Sequence, residues 1–333
     1  MPHEATLAAL TESLPLASAV AREAGLSLLP VEERRFPGGE FKLRPLESVR
    51  GRVVFVVQSL AGTDTAPVCE RLVRLLFLLQ GLHDGGARSV ALVPYLAFAR
   101  KDRRTQLRDP VTSRYVAELL EATHLECVVG LDVHNPAAFD NAFRIPTVHL
   151  TALPTMAAHF AATVCDTALA VVSPDIGGIK RAQIFHELLA AEVGGEIELA
   201  FVSKRRARDV VSGGSLSGEV AGRTAIVLDD LCATGGTLIR AAQACRRAGA
   251  ESVEVAVTHT PMPQGLDALL ASEAISRIVV TDSVGIEAPA LAAARGKLLT
   301  LPVAPLLGEA VRRMMTGAPL APLLAHWPVR PSP

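Results

Sequence analysis

Ala225-Ile226-Val227-Leu228-Asp229-Asp230-Leu231-Cys232-Ala233-Thr234-Gly235-Gly236-Thr237-Leu238 reads as a strand, an acidic pair, a glycine loop and the start of a helix. Backbone N–H groups at a glycine-rich helix start cradle a phosphate, and the helix dipole adds positive potential there. Gly235 and Gly236 let backbone and ligand come close, and Thr234 and Thr237 add hydroxyl donors. Asp229 and Asp230, at the strand end, suit ribose hydroxyls, directly or through a divalent cation. No lysine follows the glycines as in a Walker A loop, and the Gly-x-Gly-x-x-Gly spacing of a dinucleotide site is missing.

The same strand-then-helix alternation extends outward in both directions. Apolar runs at Val53–Gln58, Val90–Pro94, Cys127–Leu131, Ala170–Ser173, Ala225–Asp230, Val253–His259 and Ile278–Asp282 predict strands. Glu70–Leu79, Ser113–Ala122 and Gly236–Ala248 have helical period. Such alternation predicts βαβ units, hence parallel sheets flanked by helices, with ligands beyond the carboxyl ends of the strands. A chain of 333 residues is long enough for two such domains, and the pattern breaks near Leu150–Pro154. The expected organisation is an α/β domain over 1–150, a second over 151–317, and a proline-rich tail over 318–333.

Composition narrows the function classes. Lys plus Arg total 33 and Asp plus Glu 34, a net charge of −1, which argues against a dedicated nucleic-acid binder. Half the residues are hydrophobic and 4% aromatic, which supports a folded core of aliphatic strands and helices. No run approaches the roughly 18 apolar residues of a membrane span. The N-terminal MPHEATLAAL has no basic segment followed by an apolar core, so a cytoplasmic protein is expected. The five cysteines are odd in number and far apart, which predicts reduced thiols.

Four further segments follow strands and carry chemistry. Pro94–Arg104 ends in Arg100-Lys101-Asp102-Arg103-Arg104, a charge pattern that suits a polyphosphate. Leu131-Asp132-Val133-His134-Asn135 offers His134 to a metal or a phosphate. Ser173-Pro174-Asp175-Ile176-Gly177-Gly178 repeats the order of acid, then double glycine, then helix, with Asp175 placed for a ribose hydroxyl. Lys204-Arg205-Arg206-Ala207-Arg208, before the polar Ser212–Gly218, reads as a mobile cationic loop able to close over a triphosphate.

The glycine loop resembles the phosphoribosyl diphosphate loop of type I phosphoribosyltransferase folds. With the other segments, and with Phe36-Pro37-Gly38-Gly39-Glu40 and Glu47-Ser48-Val49-Arg50-Gly51, the chain resembles the ribose-phosphate diphosphokinase family from Phe36 to beyond Asp282. That resemblance implies two tandem phosphoribosyltransferase-like domains. It implies transfer of the β,γ-diphosphoryl group of ATP to the anomeric hydroxyl of ribose 5-phosphate, with Mg2+. It assigns Lys204 and Arg206 to catalysis, and Phe36, Glu40, Arg100, Asp102 and His134 to ATP. It assigns Asp175, Asp229, Asp230, Ala233, Thr234, Gly235, Gly236 and Thr237 to ribose 5-phosphate, and His134 and Asp175 to the metal. It also implies a homo-oligomer, a dimer or a hexamer. The chain departs from the family pattern at Gly38, Lys101, Ala233 and Asn135–Ala138. Two other readings stay open on the residues alone: a weakly active regulatory homologue that binds synthetase subunits, and a transferase that consumes phosphoribosyl diphosphate.

Overall fold

The computed structural model describes residues 4–63, 65–163, 168–207, 210–286, 294 and 296–324, with backbone alone over 204–207 and 210–214. They form two units, Met1–Thr151 with Ser283–Gly285 and Pro302–Pro333, and Ala152–Asp282 with Ile286–Leu301.

The first unit opens with β1 (Ala5–Ala9) and α1 (Leu14–Ala24), which stops at Gly25 in the left-handed conformation, φ 70°. A hairpin of β2 (Val31–Arg35) and β3 (Phe41–Pro45) follows, then β4 (Val53–Val57) and α2 (Val68–Asp84). β5 (Arg88–Val93), α3 (Thr112–Glu121), β6 (Cys127–Leu131), α4 (Pro136–Ala142) and β7 (Thr147–Leu150) complete the alternation. The sheet is parallel, in the order β1-β4-β5-β6-β7. β4, Val-Val-Phe-Val-Val, is apolar at every position because both its faces are covered. One face packs Val54, Val56, Ala91 and Val93 against Leu75, Leu78 and Leu79 of α2 and Leu120 of α3. Each fully buried Leu or Val contributes about 1.5–3 kcal/mol. A one-residue parallel bridge pairs Leu28 with Leu7 of β1, so the chain flanks β1 on two sides.

The β2–β3 hairpin is polar, and ion pairs hold it. Glu32 faces Arg44 across the ladder and pairs with it at 2.7 Å. Arg74 of α2, 5% exposed, reaches Glu33 of β2 and Glu12 at 2.5 Å, and Arg35 reaches Glu70 of α2. A buried arginine with two carboxylates fixes geometry more than it adds net stability.

The second unit contains α5 (Leu153–Thr163), β8 (Leu169–Ser173), α6 (Ile179–Val193), β9 (Glu198–Ala207) and β10 (Val210–Ser217). β11 (Thr224–Leu231), α7 (Gly236–Arg247), β12 (Ser252–His259), α8 (Pro263–Ala271), β13 (Arg277–Thr281) and β14 (Leu298–Leu301) follow. The sheet order is β10-β9-β8-β11-β12-β13-β14, parallel except for the antiparallel edge pair β9–β10. The chain steps from β8 to β9 on one side and to β11 on the other. The carboxyl ends of β8 and β11 therefore flank a topological switch point, where ligands enter such sheets.

Two expectations need correction. The sequence predicts a mobile loop from Lys204, but Lys204–Ala207 continue β9, and Arg205–Ala207 pair with Val210–Ser212 of β10. The ladder is interrupted beside Lys204, where the register shifts between Ser212 and Ser215. The sequence places residues 302–317 with the second domain, but the chain returns to the first unit at Pro302. There α9 (Ala304–Thr316) packs on α1. Gly308 makes this contact possible, since a Cβ at that position would lie 2.3 Å from Cβ of Glu23. Of the tail, residues 325–333 lie outside the described residues.

Candidate active site

The second unit brings its acids and glycines together. Arg181, in the first turn of α6, donates from Nη1 to Oδ1 of Asp229 at 3.0 Å and lies 2.8 Å from Oδ1 of Asp230. The Asp230 amide donates to Oδ1 of Asp229 at 2.9 Å. Burial first, and then the charge of Asp230, push the Asp229 carboxyl up to about 7, while Arg181 works against both. One guanidinium thus serves two carboxylates that crowd each other, so the site accepts further positive charge readily.

Asp175 follows β8. Its Oδ1 accepts from the Gly177 amide at 3.0 Å and caps the short turn Ile176–Gly178 that leads into α6. Asp175 is partly exposed at the switch point.

The glycine loop leaves β11 with Cys232 buried and Thr234 exposed. Gly235 precedes α7 at φ 74°, a conformation that favours glycine. Beneath the loop lies Gly265 of α8, where a Cβ would fall 2.3 Å from the Ala233 carbonyl oxygen. The loop therefore rests directly on helix backbone. Arg240, one turn into α7, donates from Nη2 to Oγ1 of Thr237 at 3.2 Å, which folds a cation back towards the helix start. Burial pushes the Cys232 thiol up to about 12, so Cys232 is a packing residue. Lys204 and Arg206 lie on β9, and their side chains are outside the described residues.

The first unit holds the segments expected to meet a nucleotide. Phe36 and Glu40 cap the β2–β3 hairpin, with Phe36 N–H donating to the Glu40 carbonyl at 2.8 Å. Both are exposed, and the Arg34 guanidinium sits 5.0 Å from the Phe36 ring centre. Gly38 and Gly39 form the tip at φ 94° and 92°. Arg100 is exposed and has no ion-pair partner among the described residues.

Lys101 is committed to its own loop. Its Nζ donates to Oδ2 of Asp109 at 2.5 Å and to Thr105 Oγ1 at 3.1 Å. The same Asp109 oxygen also accepts from the Thr105 amide and hydroxyl and the Gln106 amide. Lys101 above all, then Thr105 and these amides, hold the Asp109 carboxyl far below the usual carboxylate range. Lys101 thus serves its own loop through Asp109 and Thr105.

Asp102 accepts from Nδ2 of Asn135 at 2.5 Å, and His134 stands exposed one residue before Asn135. The loop after β5 and the turn after β6 are thereby joined.

Sequence reasoning gave no role to Arg181, Asn135, Arg240 or Gly265. Asn135 had a local signal, an asparagine before Pro136 at a helix start. Arg181 follows a double glycine beside an acid, and only the fold points it at β11. Gly265 has no local signal, because its role is to make room for another segment.

Among the described residues, no group of three His, Cys, Asp or Glu side chains stands at metal-ligand spacing. No described helix is long and apolar enough to cross a membrane.

A glycine loop after an acidic strand end, at the switch point of a parallel sheet, defines a phosphoribosyltransferase-like α/β protein. Residues 153–279 match the family model of the phosphoribosyl transferase domain, and residues 5–123 match that of the N-terminal domain of ribose phosphate pyrophosphokinase. The chain belongs to the ribose-phosphate pyrophosphokinase family. It is 35% identical over 314 residues to the ribose-phosphate pyrophosphokinase of Bacillus caldolyticus, covering 94% of this chain and 95% of that one. It is 37% identical to that of Granulibacter bethesdensis, covering 92% and 96%. The crystal structure of phosphoribosylpyrophosphate synthetase from Mycobacterium smegmatis superposes with a TM-score of 0.83 at 30% identity, over 95% of this chain and 100% of that one.

Proposed function

We propose that the protein makes phosphoribosyl diphosphate and AMP from ATP and ribose 5-phosphate. The observation that carries this reading is the loop Ala233–Thr237 at the N-terminus of α7, beside Asp229 and Asp230 that share Arg181. On this reading the amides of the loop and the Arg240 guanidinium hold the 5-phosphate, and Asp175, Asp229 and Asp230 accept ribose hydroxyls. The anomeric hydroxyl then attacks the β-phosphorus of ATP in line, and AMP leaves. Phe36 and Glu40 take the base and ribose of the nucleotide, and Arg100, Asp102 and His134 its phosphates. Lys204 and Arg206 neutralise charge that develops on the transferred group. Mg2+ is the proposed cation; it would neutralise the triphosphate, with Asp175 supplying an oxygen donor and His134 the contact on the phosphate side.

The decisive assay is AMP release from ATP that depends strictly on both ribose 5-phosphate and Mg2+. Folded protein that releases no AMP sinks the reading. Lys204→Ala is expected to lower kcat by about 100-fold or more. We further propose a cytoplasmic homo-oligomer, a dimer or a hexamer. Exposed Val73 and Phe77 on α2 and Tyr115 and Leu119 on α3 offer apolar area for it, and light scattering tests it.

A further inference from the structure

We infer that Asn135 is a positioning residue for the nucleotide site, acting through Asp102. This rests on the reading of Arg100, Asp102 and His134 as nucleotide contacts. The Asn135 side chain makes two bonds with its two ends. Its Oδ1 accepts from the Ala138 amide at 3.2 Å and caps α4. Its Nδ2 donates to Oδ2 of Asp102 at 2.5 Å.

The first bond is local, and any good cap residue makes it. The second spans 33 residues and joins two loops that follow different strands. Asp102 lies two residues after Arg100, and Asn135 one residue after His134. The bond therefore sets the loop of the arginine against the turn of the histidine. On one side, Asn135 lines an apolar cavity with Leu96, Ala99, Val133 and Phe139. A bond to a carboxylate beside such a wall is stronger than one in open water. The neighbouring backbone is also set. Asp132 has φ 39°, and the Val133 amide donates to Nε2 of His149 at 3.1 Å. The turn is thus held on both sides of His134, and the Asp102 bond ties it to the facing loop.

Cap and bridge can be separated by substitution. Asn135→Ser keeps a good cap but cannot reach Asp102. Asn135→Asp keeps the cap and sets a second carboxylate against Asp102. Asp102→Asn keeps an acceptor for Asn135 and removes the charge. The expected result is that Asn135→Ser folds with a modestly lower urea midpoint, the loss of the one bridge bond, while its KM for ATP rises about tenfold. Its kcat and its KM for ribose 5-phosphate stay within about twofold. Asn135→Asp should raise the KM for ATP further. Combined with Asp102→Asn it should lose less than the product of the two single effects, because the reversed pair rebuilds the bond. An unchanged KM for ATP in Asn135→Ser, or single effects that simply multiply, overturns the inference while the wild type still binds ATP. Calorimetry that finds no ATP binding by the wild type overturns the nucleotide reading and the inference with it.

Discussion

Arg181 and Asp229 set the chemistry of the ribose side. Burial first, and then the charge of neighbouring Asp230, raise the partly buried Asp229 carboxyl to about 7, and Arg181 offsets them only in part. A carboxyl raised in the folded state binds its proton where the unfolded chain has lost it. Its stabilising contribution is complete below the unfolded value near 3.8 and is lost as pH rises to about 7. Asp229→Asn should flatten the fall in urea midpoint between pH 4 and pH 7. A ligand that favours ionised Asp229 must release a proton near neutrality. The heat of ribose 5-phosphate binding with Mg2+ should therefore depend on the ionisation enthalpy of the buffer, and Asp229→Asn should remove that dependence. Arg181→Ala leaves the carboxylates without their cation and should cost about 3 kcal/mol of stability at pH 7, measured by urea unfolding.

At the scale of the element, the site is shaped by where backbone lies on backbone. The glycine loop sits on α8 because Gly265 has no side chain. Gly265→Ala should move Ala233, weakening ribose 5-phosphate binding by about tenfold or more in calorimetry while ATP binding holds. Retained affinity would show that the contact beneath the loop is not needed. The basic loop of the first unit is tied through Asp109. Asp109→Ala frees Lys101 and the amides of Thr105 and Gln106, so trypsin should cut near Arg103 and Arg104 faster than in the wild type. The elements were unequally legible. Val53–Val57 and Thr224–Leu231 announce themselves as strands because burial on both faces demands apolar residues throughout. β1, Ala-Thr-Leu-Ala-Ala, carries no β-branched run, and only its neighbours make it a strand. The β2–β3 hairpin, Val-Glu-Glu-Arg-Arg opposite Phe-Lys-Leu-Arg-Pro, is held by cross-strand charge that no periodicity reveals.

For the whole molecule, the return of the chain matters most. α9 follows the last strand of the second unit yet belongs to the first. Gly308→Ala should prise α9 from α1 at a cost of about 1–3 kcal/mol. Hydrogen exchange should report the loss in the first unit and spare the second. A boundary drawn from the sequence near 150 could not include this helix, because a helix records which of its faces is apolar but not which helix it meets. The parallel α/β class, the glycine loop and the acids at strand ends were set by the sequence itself, since periodicity, glycine and charge act over a few residues. The pairing of Arg181 with Asp229 and Asp230, the bond from Asn135 to Asp102, the place of Gly265 under the loop and the partner of α9 were decided only by tertiary structure. Each joins residues far apart in the chain, and their meeting depends on strand order and helix packing rather than on local preference.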